Sequence, residues 1–248
     1  MHATNAALYG KGIFTTLAIY DRKPFLWEKH WRRLTDNAAK VGIDLAEHSE
    51  QTSRDSLDEI IEKNSVTNGR ARLTFFDESV SSLWAVESKR KTSLLILTAD
   101  RRPVPDNFRL TISLYLVNST SPLAGVKSCN YLENILAFEN AKESGFDEAV
   151  RLNERGLITS ACMANIFWLK DEKLYTPSLK TGCLNGTTRE FVLENLDCVE
   201  VAAEIEELKV ADAIFLTSAG LGIARVSEIN GRILSSEPDL ITGLIPIK

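Results

Sequence analysis

Short runs of β-branched and aromatic residues alternate along this chain with stripes of apolar residues at helical spacing. Apolar residues that recur every three or four positions predict helices at 28–41, 53–63, 131–143 and 188–195. Runs rich in β-branched residues predict strands in a hairpin within 12–27, then at 71–76, 93–99, 109–117, 149–153, 157–161, 166–170, 174–176 and 213–217, with a last hairpin around Asn230-Gly231. Thr52 or Ser53 is the expected cap of the second helix. Interspersed strands and helices favour an α+β or α/β fold.

A connection between two lobes is predicted at 117–126, where serine, proline and glycine residues interrupt the apolar pattern. A chain of 248 residues is long enough for two lobes that each bury a core. We therefore expect a small N-terminal α/β lobe over 1–117 and a larger C-terminal lobe over 118–248.

The charge and cysteine patterns argue against several classes of protein. Because 34 acidic residues outnumber 29 basic ones, we expect no nucleic-acid partner. No run approaches the roughly 18 apolar residues that cross a bilayer, and the start of the chain lacks a leader pattern, so we expect a cytoplasmic protein without a membrane span. The four cysteines form no C-x-x-C pair and the three histidines follow no ligand spacing, so we expect free thiols and no metal site.

Three candidate site segments have ordinary explanations when each is taken alone. Thr187 and Thr188 follow Gly186 at the start of a predicted helix, where they either present hydroxyls to a phosphate or cap the helix, and capping is the simpler interpretation. Lys127 fits a solvated lysine before a helix. Arg33 fits the polar face of the helix that contains it. Local sequence therefore leaves their roles open.

Four segments in chain order together carry a family resemblance. They are LYGKGIFTT at 8–16 with HWRRL at 30–34, KSCNYL at 127–132, GLIT at 156–159 with NIF at 165–167, and LNGTTR at 184–189. The chain resembles the fold-type IV enzymes that depend on pyridoxal 5′-phosphate (PLP), the class IV aminotransferase family. This family includes branched-chain and D-amino-acid aminotransferases and 4-amino-4-deoxychorismate lyase. The resemblance extends from residue 8 to about residue 225 and implies two α/β lobes and a homodimer.

The resemblance gives Lys127 the catalytic role. Its amine would condense with the PLP aldehyde and, once displaced by a substrate amine, move a proton at the substrate Cα. That chemistry needs a lysine that is neutral part of the time, which burial and nearby cations provide. Tyr131 matches a family tyrosine near the cofactor.

The resemblance also implies a phosphate-binding set. Arg33 matches an arginine that binds the cofactor phosphate, a task that suits a planar guanidinium. Gly186, Thr187 and Thr188 match the backbone and hydroxyl part of the same phosphate site. Within the family, these three residues are therefore expected to do more than cap a helix.

Ser160 departs from the family pattern. Members usually have a glutamate five residues before the asparagine matched by Asn165, and its carboxylate keeps the PLP ring nitrogen protonated. A serine hydroxyl makes one hydrogen bond but supplies no counter-charge. We expect Ser160 to face the ring nitrogen and to leave the substrate carbanion less stabilised.

The residues expected near the substrate depart further from the family pattern. Phe14, Thr16 and Arg72 are the expected substrate-binding residues, with Arg72 a candidate partner for a substrate carboxylate or, equally, a surface arginine of a strand. Asn5 and Asp77 stand where many family members have arginines. The segment that usually precedes the first motif is also short in this sequence. The substrate is therefore expected to be a small molecule with an amino group, of undefined identity.

Two features favour the lyase branch of the family. The run 14–16 lacks the glutamate that aminotransferases often carry at its middle position, and the stretch 161–168 is similar to that of the lyase. A lyase would release pyruvate from aminodeoxychorismate and form 4-aminobenzoate. The alternative is an amino-acid aminotransferase, of branched-chain or D-amino-acid type. A third hypothesis is a PLP-binding protein without activity, suggested by Ser160 and the short start.

Overall fold

The computed structural model describes residues 4–79, 91–235 and 241–245. The chain folds into two compact units. The first unit contains residues 1–101 and 126–131, and the second contains 102–125 and 132–248. This division differs from the expected lobes in two respects, the position of the boundary and the unit to which Lys127 belongs.

The first unit contains one antiparallel sheet and three helices. Its elements are α1 (Asn5–Tyr9), β1 (Gly12–Tyr20), β2 (Lys23–Pro24), α2 (Trp27–Val41), α3 (Glu50–Lys63), β3 (Gly69–Asp77) and β4 (Thr92–Ala99). The strand order is β2-β1-β3-β4. The hairpin and the strands predicted in this part of the chain are therefore present, whereas the sequence pattern did not indicate α1.

Helix α2 forms where the apolar stripe predicted it. Its buried residues include Trp27, Leu34 and Ala38, and Gly42 ends it in the left-handed region with φ 70°. Leu34 and Ala38 pack into a core cluster that contains Ile13 of β1. The stripe therefore fixes α2 against β1.

Helix α3 begins at Glu50, earlier than the pattern predicted. The Ser49 side chain accepts a hydrogen bond from the Thr52 backbone N–H, which makes Ser49 the N-cap. The predicted cap at Thr52 or Ser53 is therefore wrong. Ser53 is instead buried within the helix, as is Leu57.

Residues 127–129 add a short extended segment to the edge of β1. The Phe14 N–H donates to the Lys127 carbonyl at 2.9 Å, and the Cys129 N–H donates to the Gly12 carbonyl at 2.8 Å. Ser128 forms an isolated β-bridge with Ile13. Because these backbone bonds run to β1, Lys127 groups with the first unit rather than with the expected lobe 118–248.

The second unit contains two five-stranded sheets. Its elements are β5 (Arg109–Ile112), α4 (Leu132–Glu143), β6 (Glu148–Leu152), β7 (Ile158–Ala161), β8 (Asn165–Lys170), β9 (Lys173–Pro177), a 3₁₀ turn (Leu179–Thr181), α5 (Thr187–Asn195), β10 (Cys198–Val201), α6 (Glu206–Lys209), β11 (Ala213–Ser218), β12 (Gly222–Arg225), β13 (Glu228–Ile229), β14 (Arg232–Ile233) and a second 3₁₀ turn (Thr242–Leu244). The strand orders are β10-β9-β8-β11-β12 and β14-β13-β5-β6-β7. A buried apolar cluster that includes Phe108, Val150 and Trp168 forms the core.

Strand β5 explains the shift of the domain boundary. It pairs in parallel with β6 and with β13, so 109–112 belongs to the second unit. The predicted strand at 109–117 ends at Ile112, because the Ser113 hydroxyl accepts from the Tyr115 N–H and turns the chain. Leu114 is consequently 85% exposed.

None of the helices in the described parts of the chain is long and apolar enough to cross a membrane. Among the same residues, no group of histidine, cysteine and carboxylate side chains is arranged to hold a metal ion.

Candidate active site

Lys127 holds its amine between two aromatic rings of the first unit. Its Nζ lies 4.5 Å from the centroid of the Phe14 ring and 4.7 Å from that of Tyr131, and it donates to the Tyr131 hydroxyl at 3.3 Å. The two rings meet edge to face at 5.2 Å. The rings and the short segment 127–129 fix the amine in position, as a reactive lysine requires.

The surroundings of Lys127 favour its neutral form. Desolvation, followed by the charges of Arg33 and then Arg72, lowers the pKa of Lys127 from 10.5 to about 7. A substantial share of the amine is therefore unprotonated near neutral pH. An unprotonated amine is the form that attacks a carbonyl carbon or accepts a proton.

The three predicted substrate-binding residues lie on one face of the first sheet. Thr16 stands opposite Arg72 across β1 and β3, and Phe14 lies two residues from Thr16 on the same face. The Arg72 guanidinium carbon is 3.6 Å from the Phe14 ring centroid, and Nε donates to Thr74 Oγ1 at 3.2 Å. A positive charge is thus fixed on this face, where it can bind a carboxylate.

A buried threonine holds Arg33 in place. Arg33 Nη2 donates to Thr15 Oγ1 at 2.7 Å, and His30 Nδ1 lies 2.6 Å from the same oxygen. Burial, then Arg33, then Lys127 hold the pKa of His30 well below 6.5, so its imidazole is neutral and Nδ1 can accept the threonine proton. Thr15 Oγ1 therefore accepts from Arg33 and shares a second hydrogen bond with the neutral imidazole of His30.

Sequence reasoning missed the roles of Thr15 and His30. The spacing of three residues between His30 and Arg33 was the available signal, because it places both on one face of α2. Thr15 alternates with Phe14 and Thr16 along β1, so its side chain is on the opposite sheet face. It is fully buried.

Asn5 and Asp77, the two residues that stand where many family members have arginines, contact each other. Asn5 Nδ2 donates to Asp77 Oδ2 at 3.1 Å, and Lys11 Nζ lies 2.8 Å from the same oxygen. Although burial alone would raise it, the pKa of Asp77 is lowered, chiefly by Lys11 and by Ser79. Where many family members have two arginines, this chain therefore has the Asp77 carboxylate, whose negative charge is balanced by Lys11.

In the second unit, Gly186 brings the start of α5 against an asparagine. A Cβ at Gly186 would lie only 2.0 Å from Asn165 Oδ1, so no larger residue fits. Asn165 Nδ2 donates to the Leu184 carbonyl at 2.8 Å and thereby fixes the loop. Gly186 is the N-cap and makes no side-chain cap bond. The capping explanation for Thr187 and Thr188 is therefore wrong, because both lie inside the first turn.

The start of α5 has the chemistry of an oxyanion site. Thr187 and Thr188 are each 3% exposed, and a helix start offers backbone N–H groups and a positive dipole end to an anion. Thr217 stands opposite Asn165 across β8 and β11. Its buried Oγ1 has no hydrogen-bond partner among the described residues, and α5 packs against β11. Three hydroxyls and a helix start thus belong to one region of this unit.

Ser160 lies in β7, in the second unit, where it is half-buried and stands opposite Arg151 of β6. The predicted site residues divide between the two units. The first unit contains Lys127, Arg33, Arg72, Phe14, Thr16 and Tyr131. The second contains Ser160, Gly186, Thr187 and Thr188.

Comparison with known proteins gives the class to which this fold and these residues belong. The family model described as amino-transferase class IV matches residues 12–229. The chain therefore belongs to the class IV aminotransferase family, as its motifs predicted. Its fold is the fold-type IV arrangement expected from the sequence.

Relatives within this family have different names. A protein of Methanocaldococcus jannaschii, provisionally named branched-chain-amino-acid aminotransferase, is 30% identical over 93% of this chain and 82% of its own. Aminodeoxychorismate lyase of Bacillus subtilis is 28% identical over 90% of this chain and 80% of its own. The structure of a Legionella pneumophila protein, provisionally named 4-amino-4-deoxychorismate lyase, matches with a TM-score of 0.88 and 27% identity, over 96% of this chain and 90% of that one. Such relatives are enzymes, and so is this chain.

Proposed function

We propose that this enzyme binds PLP through Lys127 and acts as a lyase of the aminodeoxychorismate lyase type, releasing pyruvate to give 4-aminobenzoate. The observation that carries the proposal is the Lys127 amine, buried between Phe14 and Tyr131 with a pKa of about 7. An unprotonated amine of this kind would hold PLP through its aldehyde and would supply a base for a proton on carbon.

The residues present fit the cofactor. The two charges that lower the pKa of Lys127, those of Arg33 and Arg72, are both positive, as suits a ligand with a phosphate and a carboxylate. In the second unit, the start of α5 and the Thr217 hydroxyl, for which the described residues offer no hydrogen-bond partner, suit a phosphate. We assign phosphate binding to Arg33, Gly186, Thr187 and Thr188.

Each residue of the first unit has a defined task in this proposal. When bound, PLP withdraws electrons from the substrate Cα and so makes its proton easier to remove. Lys127 accepts that proton, because a substantial share of its amine is unprotonated near pH 7. Arg72 binds the substrate carboxylate, while Phe14, Thr16 and Tyr131 line the space around the amine and exclude water.

The lyase assignment has two supports. Thr15 replaces the glutamate frequent in aminotransferases and is committed to Arg33 and His30 rather than to a substrate. A second support is the likeness to the Bacillus subtilis lyase and the Legionella pneumophila protein. Because the product becomes aromatic, a weak electron sink at Ser160 suffices for this reaction.

The alternative is an amino-acid aminotransferase, favoured by the 30% identity to the Methanocaldococcus jannaschii protein. Half-reactions separate the two functions. A lyase releases pyruvate from aminodeoxychorismate without a 2-oxo acid acceptor. An aminotransferase loses its cofactor absorbance when it is mixed with an amino acid alone, and regains it with a 2-oxo acid. Loss of absorbance with branched-chain or D-amino acids, without pyruvate release from aminodeoxychorismate, would overturn the lyase proposal.

The position of Ser160 is tested by Ser160→Glu. We expect the added carboxylate to change the visible spectrum of the bound cofactor and the turnover, because it supplies the counter-charge that serine lacks. An unchanged spectrum and an unchanged turnover would show that Ser160 does not contact the ring nitrogen.

We also propose a cytoplasmic homodimer. An exposed apolar patch of the second unit supports the dimer, and it comprises Leu114, Tyr115, Leu116, Leu132, Ile135 and Leu136. Cysteines 129, 162, 183 and 198 are free thiols, which suits a reducing compartment. Sedimentation of the wild type and of Leu114→Asp tests the dimer, and a monomeric wild type would contradict it.

A further inference from the structure

A buried arginine stands beside Ser160. Arg151 of β6 and Ser160 of β7 are directly opposed in an antiparallel pair, so both side chains project from the same sheet face with Cβ atoms about 5 Å apart. The Arg151 side chain is 2% exposed. Since a guanidinium is always protonated in proteins, the strand position directly opposite Ser160 carries a buried positive charge.

Neutral acceptors hold this guanidinium in place. Nη2 donates to the Leu116 carbonyl at 2.8 Å, Nε to the Tyr115 carbonyl at 3.3 Å, and Nη1 to Asn134 Oδ1 at 3.1 Å. These groups orient the arginine without cancelling its charge. Glu133 Oε2 lies 3.8 Å from Nη2, but its side chain is 79% exposed, so solvent screens much of its effect.

Within the described parts of the chain, the ionisable groups of Glu148 and Cys162 also lie near Arg151, and neither supplies a counter-charge to this face. Glu148 lies three residues before Arg151 on β6 and therefore points to the opposite face. Burial raises the pKa of Glu148 to about 7, and it accepts hydrogen bonds from the backbone N–H groups of Cys162 and Met163. Burial and then Glu148 raise the pKa of the Cys162 thiol to about 12, so this thiol is neutral.

We infer that Arg151 keeps the ring nitrogen of the bound cofactor unprotonated, with the Ser160 hydroxyl donating a hydrogen bond to it. This inference rests on the proposed function, which places Ser160 at that nitrogen. A carboxylate there favours the protonated ring, whereas a fixed cation disfavours a second positive charge. An unprotonated pyridine nitrogen accepts a hydrogen bond, and serine can donate one.

The consequence is a chemical selection among substrates. An unprotonated pyridine ring would withdraw electrons from the substrate Cα less strongly than a protonated one. The Cα proton of a simple amino acid would therefore be removed slowly. Substrates whose carbanion is stabilised by their own unsaturated ring, or whose product becomes aromatic, lose less rate. Arg151 and Ser160 together therefore favour such substrates over ordinary amino acids.

The test is nitrogen-15 NMR of the protein loaded with PLP labelled at the ring nitrogen, recorded between pH 5 and pH 9. We expect the wild-type resonance to remain at the position of unprotonated pyridine from pH 6 upward. In Arg151→Leu, loss of the cation should raise the midpoint of the titration by about one pH unit or more. Arg151→Lys keeps the charge and should resemble the wild type. Arg155→Leu removes an exposed arginine from the turn between β6 and β7 and serves as the matched control.

Two results would overturn the inference while leaving the proposed function intact. One is a wild-type ring nitrogen that is protonated at pH 7 although borohydride fixes the cofactor on Lys127. The other is a midpoint that Arg151→Leu leaves unchanged. If Arg151→Leu does not fold, Arg151→Gln decides, because it removes the charge but keeps a polar side chain, and a midpoint equal to that of the wild type would overturn the inference. Failure of borohydride to fix PLP on Lys127 would instead overturn the proposed function, and the inference with it.

Discussion

Replacing Lys127 with methionine should stabilise the cofactor-free protein at low pH. The pKa of Lys127 falls from 10.5 to about 7, a difference of about 3.5 pH units. At 1.36 kcal/mol for each unit, the upper bound of the cost of charging this amine in the folded protein is about 5 kcal/mol. Because the residue as a whole is only half-buried, solvent screening reduces the expected cost to about 2 kcal/mol.

The pH dependence of folding stability follows from the pH at which Lys127 loses its proton in the folded and in the unfolded protein. The unfolded chain keeps the lysine proton up to about pH 10.5, whereas the folded protein releases it near pH 7. Unfolding therefore takes up a proton between these values, and wild-type stability rises with pH across this window. Below pH 7 both states are protonated and the full cost is present. Lys127→Met should thus be more stable by about 2 kcal/mol at pH 6 and equally stable near pH 10.5.

Urea unfolding of the cofactor-free wild type and Lys127→Met at pH 6, 8 and 10 measures this difference. Lys209→Met is the matched control, because that lysine is 60% exposed and contacts only the neighbouring surface residue Glu206 among its ion pairs in the described chain. A difference between wild type and Lys127→Met that stays constant from pH 6 to pH 10 would refute the argument that Lys127 is neutral in the folded protein.

Three further substitutions test separate parts of the site. Thr15→Val should lower PLP affinity about tenfold by removing the oxygen that holds Arg33; Thr35→Val is the control, because among the described residues the Thr35 hydroxyl donates only to the Arg32 carbonyl, and equal PLP titrations of the two would contradict this role. Gly186→Ala should cost about 2 kcal/mol of stability and weaken phosphate binding, since its Cβ would clash with Asn165; an unchanged thermal midpoint would count against that packing. Arg72→Met should lower kcat/KM at least tenfold while PLP affinity stays the same, and a variant with full kcat/KM would exclude a carboxylate contact.

The sequence predicted regular elements well where their pattern was strong. The stripe of α2 predicted its bounds to within one residue, because Leu34 and Ala38 pack inward and Gly42 ends the helix. The start of helix α3 was predicted too late. Serine and threonine are both good N-caps, so residue type alone does not distinguish Ser49 from Thr52; the hydrogen bond from the Thr52 N–H to the Ser49 hydroxyl does. The strand beginning at Arg109 was extended too far, because the turn at Ser113 depends on a side-chain hydrogen bond that apolar patterning does not report.

The candidate site was predictable only in its residue types. Motif likeness selected Lys127 and Arg33, but the lowered pKa of Lys127 depends on Arg33 and Arg72 both lying near it in space. The lobe boundary predicted from the turn residues of 117–126 placed Lys127 in the second lobe, whereas residues 127–129 belong to the first unit because their backbone pairs with β1, which the sequence does not indicate. The pairing of Arg151 with Ser160 likewise depends on strand register.

The most direct test is chemical fixation of the cofactor. Purified protein is mixed with PLP, reduced with borohydride and digested, and the modified peptide is identified by mass spectrometry. The proposal requires a pyridoxyl group on Lys127 in the wild type and none on any lysine of Lys127→Met. A modified lysine elsewhere, or a protein that stays colourless with PLP, would contradict it.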